Sequence, residues 1–274
     1  MLTSSCICSR NSQFKEIIHY KNETVFKDCE GTIIGKCIKC GLLKTFPSKK
    51  NNLFNPKLSK VEMYESRSGM FNKDFLPLVN WIKKFKNRCK VLDVGCSSGL
   101  LLSRLKNEGF KIYGIDPNKE ACSAIKKKLG NVVFNGTLET YLKKYNGKFD
   151  FIVYNHVLEH IEDVNKEISL VKKILKKDGL FMVGVPNTNN LVFFLRQKYW
   201  ESLMPNEHIW HFNTSYMTKL LNKFDFKVMG KSFYNHRRED YPRKKRIFFN
   251  VLVLLNKLFK TGEAVLLITK LKYW

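Results

Sequence analysis

Acidic residues are scarce in this chain. Its 274 residues hold 24 Asp and Glu against 49 Lys and Arg, a formal charge of +25. That imbalance argues against basic partners and favours anionic ones: phosphorylated molecules, nucleic acid or the negative face of a membrane. Arginine is scarce too, nine residues beside 40 lysines. This makes a nucleic-acid partner the less favoured one, because arginine is the better bidentate and stacking residue. No apolar run reaches the roughly 20 residues that a bilayer span requires. The longest, Ile247 to Phe259, has about thirteen mostly apolar residues. Residues 1–20 lack an apolar core with basic flanks and a small-residue cleavage site, so a cytoplasmic, reducing setting is expected for the eight cysteines. Internal repeats are absent, as are low-complexity tracts beyond the lysine runs. The length suits one α/β domain of ordinary size with a small appendage.

The most informative stretch is Val91-Leu92-Asp93-Val94-Gly95-Cys96-Ser97-Ser98-Gly99. Apolar residues at 91, 92 and 94 read as a buried strand, the glycines permit a tight turn, and Leu100 to Leu105 reads as a helix. Strand, glycine turn and helix N-terminus together cradle a nucleotide cofactor, with backbone N–H groups facing the ligand. The pattern is D-x-G-x-x-x-G, with Ser97 where a middle glycine is common. Asp93 is placed to accept a hydrogen bond or pair with a positive group. A second acid, Asp116, ends the next apolar segment 23 residues after Asp93, a spacing that suits a carboxylate gripping ribose hydroxyls.

These residues resemble the S-adenosylmethionine (SAM) site of the class I methyltransferases. The later segments extend the likeness: a strand at Phe149–Tyr154, then Asn155-His156-Val157-Leu158-Glu159-His160, an amphipathic helix from Ile168 to Leu175, a turn at 176–179, and a strand at 180–185 closed by Pro186-Asn187. Order and wording are similar to the small-molecule branch, over roughly residues 60 to 235 with a final strand near 264–270. The resemblance implies an α/β, Rossmann-like seven-stranded sheet over residues 89–274. It implies SAM held by Asp93, Gly95, Ser97, Gly99, Asp116 and Asn155, with Thr137 and Leu138 in the adenine-contacting segment. Thr137 stands where the family has an acid, so adenine recognition is expected to lean on backbone groups. Residues 49–88 read as a linker and a lid helix, from which Tyr64 or Arg67 would reach the methionine carboxylate.

Residues 1–48 carry Cys6-Ile7-Cys8 and Cys37-Ile38-Lys39-Cys40-Gly41. A C-x-x-C-G turn is a zinc-knuckle signal, because glycine permits the tight backbone that points N–H groups at thiolates. The segment resembles the zinc ribbon ahead of some methyltransferases that act on sugars or envelope glycans. Cys6, Cys8, Cys37 and Cys40 are the expected zinc ligands, and Cys29 is the substitute should one of the first pair fail. Cys89, Cys96 and Cys122 are expected in the core as small hydrophobes.

Methyl transfer needs an acceptor held in line with the sulfonium, and a base helps where a hydroxyl must lose its proton. His156, Glu159 and His160 share helical spacing. His208 and His211 lie in Pro205-Asn206-Glu207-His208-Ile209-Trp210-His211-Phe212, similar to a family loop that closes over the acceptor. Four of the six histidines thus fall in two short segments. His160 or His208 is the candidate general base. In ubiquinone-type and small-RNA methyltransferases an E-x-x-E-H run and a later histidine hold a divalent metal; here His156 replaces the first glutamate.

The expected activity is SAM-dependent O-methylation of a sugar, or of a lipid- or nucleotide-linked glycan for cell-surface polysaccharide. The alternatives are an RNA methyltransferase, a ubiquinone-type O-methyltransferase and a non-catalytic SAM-fold binding protein. The first lacks an N/D-P-P-Y/F-type motif at Asn155-His156-Val157-Leu158. Intact Asp93, Gly95, Gly99 and Asp116 argue against the last. Acceptor identity and oligomeric state stay open. Residues 243–260 form a helical insertion led by Arg243-Lys244-Lys245-Arg246. Either Phe248, Leu252, Leu255 and Phe259 pack on the domain, or the helix lies on the inner face of a membrane as a peripheral anchor.

Overall fold

The computed structural model describes residues 1–21, 27–47, 78–84, 88–235 and 241–272. The linker at 49–62, Tyr64 and Arg67 lie outside them; of the lid helix, residues 78–84 are described and are helical. The chain divides into two compact units. One comprises Met1–Leu53, His156–Asn165 and Gly184–Ile268, the other Phe54–Asn155, Lys166–Val183 and Thr269–Trp274.

At the N-terminus, inward-facing apolar residues separated by polar ones build an antiparallel sheet. Its strands are β1 (Leu2–Cys6), β2 (Ser9–His19), β3 (Ile33–Cys37) and β4 (Leu43–Phe46). Phe14, Ile18 and Ile34 are buried, and the Phe14 and Phe46 rings meet edge to face at 5.0 Å. Gly35 lies beneath them. A Cβ there would come within 3.0 Å of both side chains. The fifth strand comes from far along the chain, Trp210–His211 pairing antiparallel with Lys44 and Leu43.

From Lys90 onward, strands and helices alternate as β5 (Lys90–Val94), α1 (Leu100–Asn107), β6 (Lys111–Asp116), α2 (Lys119–Leu129), β7 (Val133–Asn135), α3 (Leu138–Leu142) and β8 (Phe149–Asn155). β5 pairs in parallel with β6 and with β8, and β6 with β7. Six of the seven residues of β8 are buried, as a strand covered on both faces must be. Next come α4 (Val164–Ile174), β9 (Leu175–Pro186), α5 (Leu191–Arg196), the short β10 (Trp210–His211), α6 (Thr214–Lys223), β11 (Phe226–Tyr234), α7 (Arg243–Leu258) and β12 (Ala264–Leu271).

The larger sheet runs β11-β12-β9-β8-β5-β6-β7, the last strand of the chain lying between β9 and β11. This is the expected Rossmann-like seven-stranded α/β fold. The connection reverses direction at β5, which has β6 on one side and β8 on the other. In such sheets ligands bind beyond the carboxyl ends of the strands at that switch point.

Three local expectations are corrected. Residues 176–179 are no turn, because β9 runs without a break from Leu175. His156, Glu159 and His160 do not share an α-helical face: Leu158–His160 is a single 3-10 turn and His156 is left-handed at φ 57°. Helix α7 buries Phe249, Leu252 and Asn256, leaving Phe248 and Phe259 exposed. Arg196, whose guanidinium stacks 5.3 Å from the Phe249 ring, and the core residues around Val192 and Trp200 set that choice of face.

Candidate functional site

The glycine turn after β5 is shaped as its sequence requires. Gly95 and Gly99 have φ of 73° and 71°, and Ser97 takes a left-handed φ of 48° where a glycine is common. At Gly99 space as well as conformation excludes a side chain, since a Cβ would lie 2.8 Å from Ile125. The N–H groups of Gly95 and Cys96 donate to Ile115 O at 2.7 and 3.2 Å, which ties the turn to β6. Asp116 completes it: Oδ2 accepts from Ser97 N at 2.7 Å and Oδ1 from Asn118 N at 2.8 Å. Thr137 caps α3 through Thr140, and the Leu138 side chain is buried. Asn155 ends β8. All these residues belong to the second unit.

Asp116→Ala should unpin the turn and, on the expectation that this carboxylate receives the ribose, remove its acceptor. SAM affinity should fall by about 1–3 kcal/mol; calorimetry finding it unchanged would remove Asp116 from the site.

Asp93 is buried, and burial together with the nearby Asp116 charge pushes its carboxyl up to about 8. In the unfolded chain an aspartate titrates near ~3.9. The folded state therefore holds the proton more tightly. Its contribution to stability is complete below about pH 4 and is lost as pH rises through about 8. Without cofactor, Asp93→Asn should flatten the stability profile across that window, the wild type falling by at most about 1.4 kcal/mol per pH unit relative to it. Parallel denaturation profiles from pH 4 to 8 would show an ordinary carboxyl.

In the first unit, Glu159, His160 and His208 converge. One ligand atom from each lies within 4.8 Å of the others, and the two imidazoles meet edge to face at 4.7 Å. His160 Nδ1 lies 2.9 Å from Glu207 O and His208 Nδ1 lies 3.0 Å from Ser202 O. A carbonyl only accepts, so both rings carry hydrogen on Nδ1, which leaves Nε2 as the atom each can offer a cation. Burial, reinforced by neighbouring histidines, pushes the His208 pKa well down and keeps the ring neutral. Glu159 is fully buried, and neither carboxylate oxygen has a hydrogen-bond partner among the described residues. Its Oε1 lies 3.2 Å from His156 Nδ1 at the rim of the group.

His211 stands apart. Its Nε2 donates to Thr45 Oγ1 at 2.8 Å, Thr45 Oγ1 donates to His208 O at 2.7 Å, and burial pushes the ring down to about 3. Thr45 N also bonds Ile209 O, and Ile209 N bonds Glu159 O. The N-terminal sheet thus holds the backbone of both Glu159 and His208. The sequence gives no sign of Thr45, whose partners lie over 100 residues away; pairing of β4 with β10 is what brings them together.

Cys6, Cys8, Cys37 and Cys40 form a second group within 4.8 Å. Sγ of Cys6 is 3.6 Å from that of Cys40, and Sγ of Cys8 is 3.8 Å from that of Cys37. Four sulfurs each about 2.3 Å from a tetrahedral zinc would stand about 3.8 Å apart. The Cys6–Cys40 hydrogen bond draws the Cys40 thiol down to about 5 while raising Cys6. Gly41, with φ 76°, turns the knuckle and donates to Cys37 O at 2.8 Å. Cys29 lies instead in the apolar core around Trp200, and Cys89, Cys96 and Cys122 are buried in the second unit.

A family described as a methyltransferase domain matches residues 64–230. Among curated proteins, the chain is 25% identical over 155 residues to the ubiquinone biosynthesis O-methyltransferase of Erwinia tasmaniensis, covering 51% of this chain and 64% of that one. The chain thus spans less than two thirds of that relative. A Vibrio campbellii protein of the same name is 23% identical over 233 residues, covering 77% of this chain and 99% of its own. Among solved structures, a SAM-dependent methyltransferase from Archaeoglobus fulgidus superposes with a TM-score of 0.57 at 20% identity, covering 76% of this chain and 97% of the other. The magnesium protoporphyrin IX methyltransferase of Synechocystis with bound S-adenosylhomocysteine does so with 0.51 at 17%, covering 72% and 81%. At these identities the structures speak for the fold.

Proposed function

Since this chain belongs to the class I SAM-dependent methyltransferases, we propose that it methylates a hydroxyl oxygen, with Glu159, His160 and His208 holding a divalent cation at the acceptor. One observation carries this reading: the Glu159 carboxylate is fully buried and has no hydrogen bond to either oxygen among the described residues, with Oε1 3.2 Å from the Nδ1 of the exposed His156 ring. A buried carboxylate without hydrogen bonds is costly unless a cation compensates it. The Nε2 atoms of the His160 and His208 imidazoles beside it complete a donor set suited to a borderline divalent metal. Backbone carbonyls fix both rings through Nδ1, the usual support for metal-binding histidines.

SAM when bound supplies the electrophilic methyl, and a divalent cation when bound makes a hydroxyl more acidic. The residues do the rest. Asp116 and the Gly95–Gly99 turn grip and orient the cofactor. Glu159, His160 and His208 would hold the cation beside the acceptor, and the exposed His156 is the residue assigned to take the hydroxyl proton. This replaces the expectation that His160 or His208 is itself the base. Names of relatives agree with O-methylation; nothing in them supports a glycan acceptor, so the acceptor is assigned only as a hydroxyl-bearing molecule. We also infer a structural zinc at Cys6, Cys8, Cys37 and Cys40, on the tetrahedral sulfur spacing.

The test is methyl transfer from labelled SAM to a catechol and to nucleotide sugars, with product mapped by mass spectrometry. Oxygen methylation that stops when added divalent ions are withheld, and resumes on their return, supports the reading. Metal-independent transfer, or methylation only at nitrogen or carbon, overturns it.

A further inference from the structure

Helix α7 carries a face without a partner among the described residues. Ile247, Val251, Leu254 and Leu258 recur at spacings of four, three and four, one stripe along the helix, and are 54, 51, 67 and 73% exposed. Phe248 and Phe259 flank the stripe and are also exposed. The opposite face is the packed one, with Phe249, Leu252 and Asn256 buried. Such a row of large apolar side chains is costly in water, and exposed rows of this kind mark interaction surfaces.

The charge around the stripe selects its occupant. All of Arg243, Lys244, Lys245 and Arg246 are exposed in the first turn, Lys257 and Lys260 lie near the other end, and residues 243–260 contain no acid. The helix N-terminus adds positive potential of its own. A second copy of this chain would set two such clusters against each other, within a protein of formal charge +25. An anionic bilayer offers negative potential for the cations and hydrocarbon for the stripe at once. No described helix is long and apolar enough to cross a membrane; α7 spans 16 residues, ample for lying in the interface. Helix α5, which packs against α7, leaves Phe194 and Leu195 exposed as well.

We propose that α7 docks this protein on anionic lipid bilayers, with Ile247, Val251, Leu254 and Leu258 entering the interface and Arg243–Arg246 bound at the headgroups. The contact is reversible and peripheral.

Co-sedimentation with phosphatidylglycerol–phosphatidylcholine vesicles tests it, beside vesicles of phosphatidylcholine alone. Binding is expected to the anionic vesicles and to weaken with added salt. Replacing all four residues 243–246 by glutamine should lower affinity by on the order of 1,000-fold. The double variant Leu254→Gln, Leu258→Gln should lower it as well, while SAM affinity and circular dichroism stay as in the wild type. Equal binding to both vesicle types, no binding at low salt, or a dimer dissociated by the Leu254/Leu258 change would each overturn the proposal. None of these outcomes depends on which hydroxyl is methylated, so this surface and the assigned reaction can fail separately.

Discussion

Glu159→Gln is expected to lower methyl transfer by about 10²- to 10⁴-fold with SAM affinity nearly unchanged. The replacement has almost the same shape, so packing around residue 159 should persist. What it removes is a fully buried carboxylate whose oxygens have no hydrogen bond among the described residues and whose Oε1 lies 3.2 Å from His156 Nδ1. If that carboxylate served only the fold, glutamine would be neutral or stabilising, since an uncompensated buried charge costs several kcal/mol, and turnover would hold. If it serves a cation, turnover falls and divalent ions no longer stimulate it. Stability and activity should therefore move in different directions. Turnover that holds would instead point to a role in the fold alone.

Cys37→Ser should empty the N-terminal zinc site, and its effect should reach the histidines. Zinc at a four-cysteine site contributes roughly 10–16 kcal/mol in small zinc modules at neutral pH, more than a five-stranded sheet of this size recovers from its own core. That sheet includes β10, and Thr45 on β4 bonds the carbonyls of both His208 and Ile209. Loss of zinc should thus abolish turnover. SAM affinity should largely survive, because Asp93, Gly95, Gly99 and Asp116 belong to the other unit. Metal analysis should find about one zinc in the wild type and in Cys29→Ser, and none in Cys37→Ser. Zinc absent from protein purified without chelators, or lost in Cys29→Ser, would contradict the assignment.

Local spacing made the glycine turn readable. Val91 to Leu105 is contiguous, and its strand, positive-φ turn and helix follow from apolar pattern and glycine alone. Asp116 was legible from its distance to Asp93, and the pairing of both its oxygens with backbone N–H groups explains why an acid ends that strand. Cys37-x-x-Cys40 likewise announced the metal-suited cluster. What stayed hidden depends on partners distant in sequence. Thr45 meets His208 only after β4 pairs with β10, and His211, alike in sequence to His208, turns to that threonine. The buried face of α7 was misjudged by one residue, because an all-round apolar helix has no periodicity to choose a side; Arg196 and the Trp200 core choose it. Helical spacing after β8 failed as well, since His156 adopts a left-handed backbone that breaks the helix before it begins.

The central claim, that Glu159, His160 and His208 bind a divalent cation, is tested most directly by Mn²⁺ titration followed by electron paramagnetic resonance, using protein with its zinc retained. One Mn²⁺ should bind per chain in the wild type, and Glu159→Gln should abolish that binding while leaving zinc content unchanged. Wild-type protein that takes up no Mn²⁺, or a Glu159→Gln variant that binds it equally well, would contradict the account.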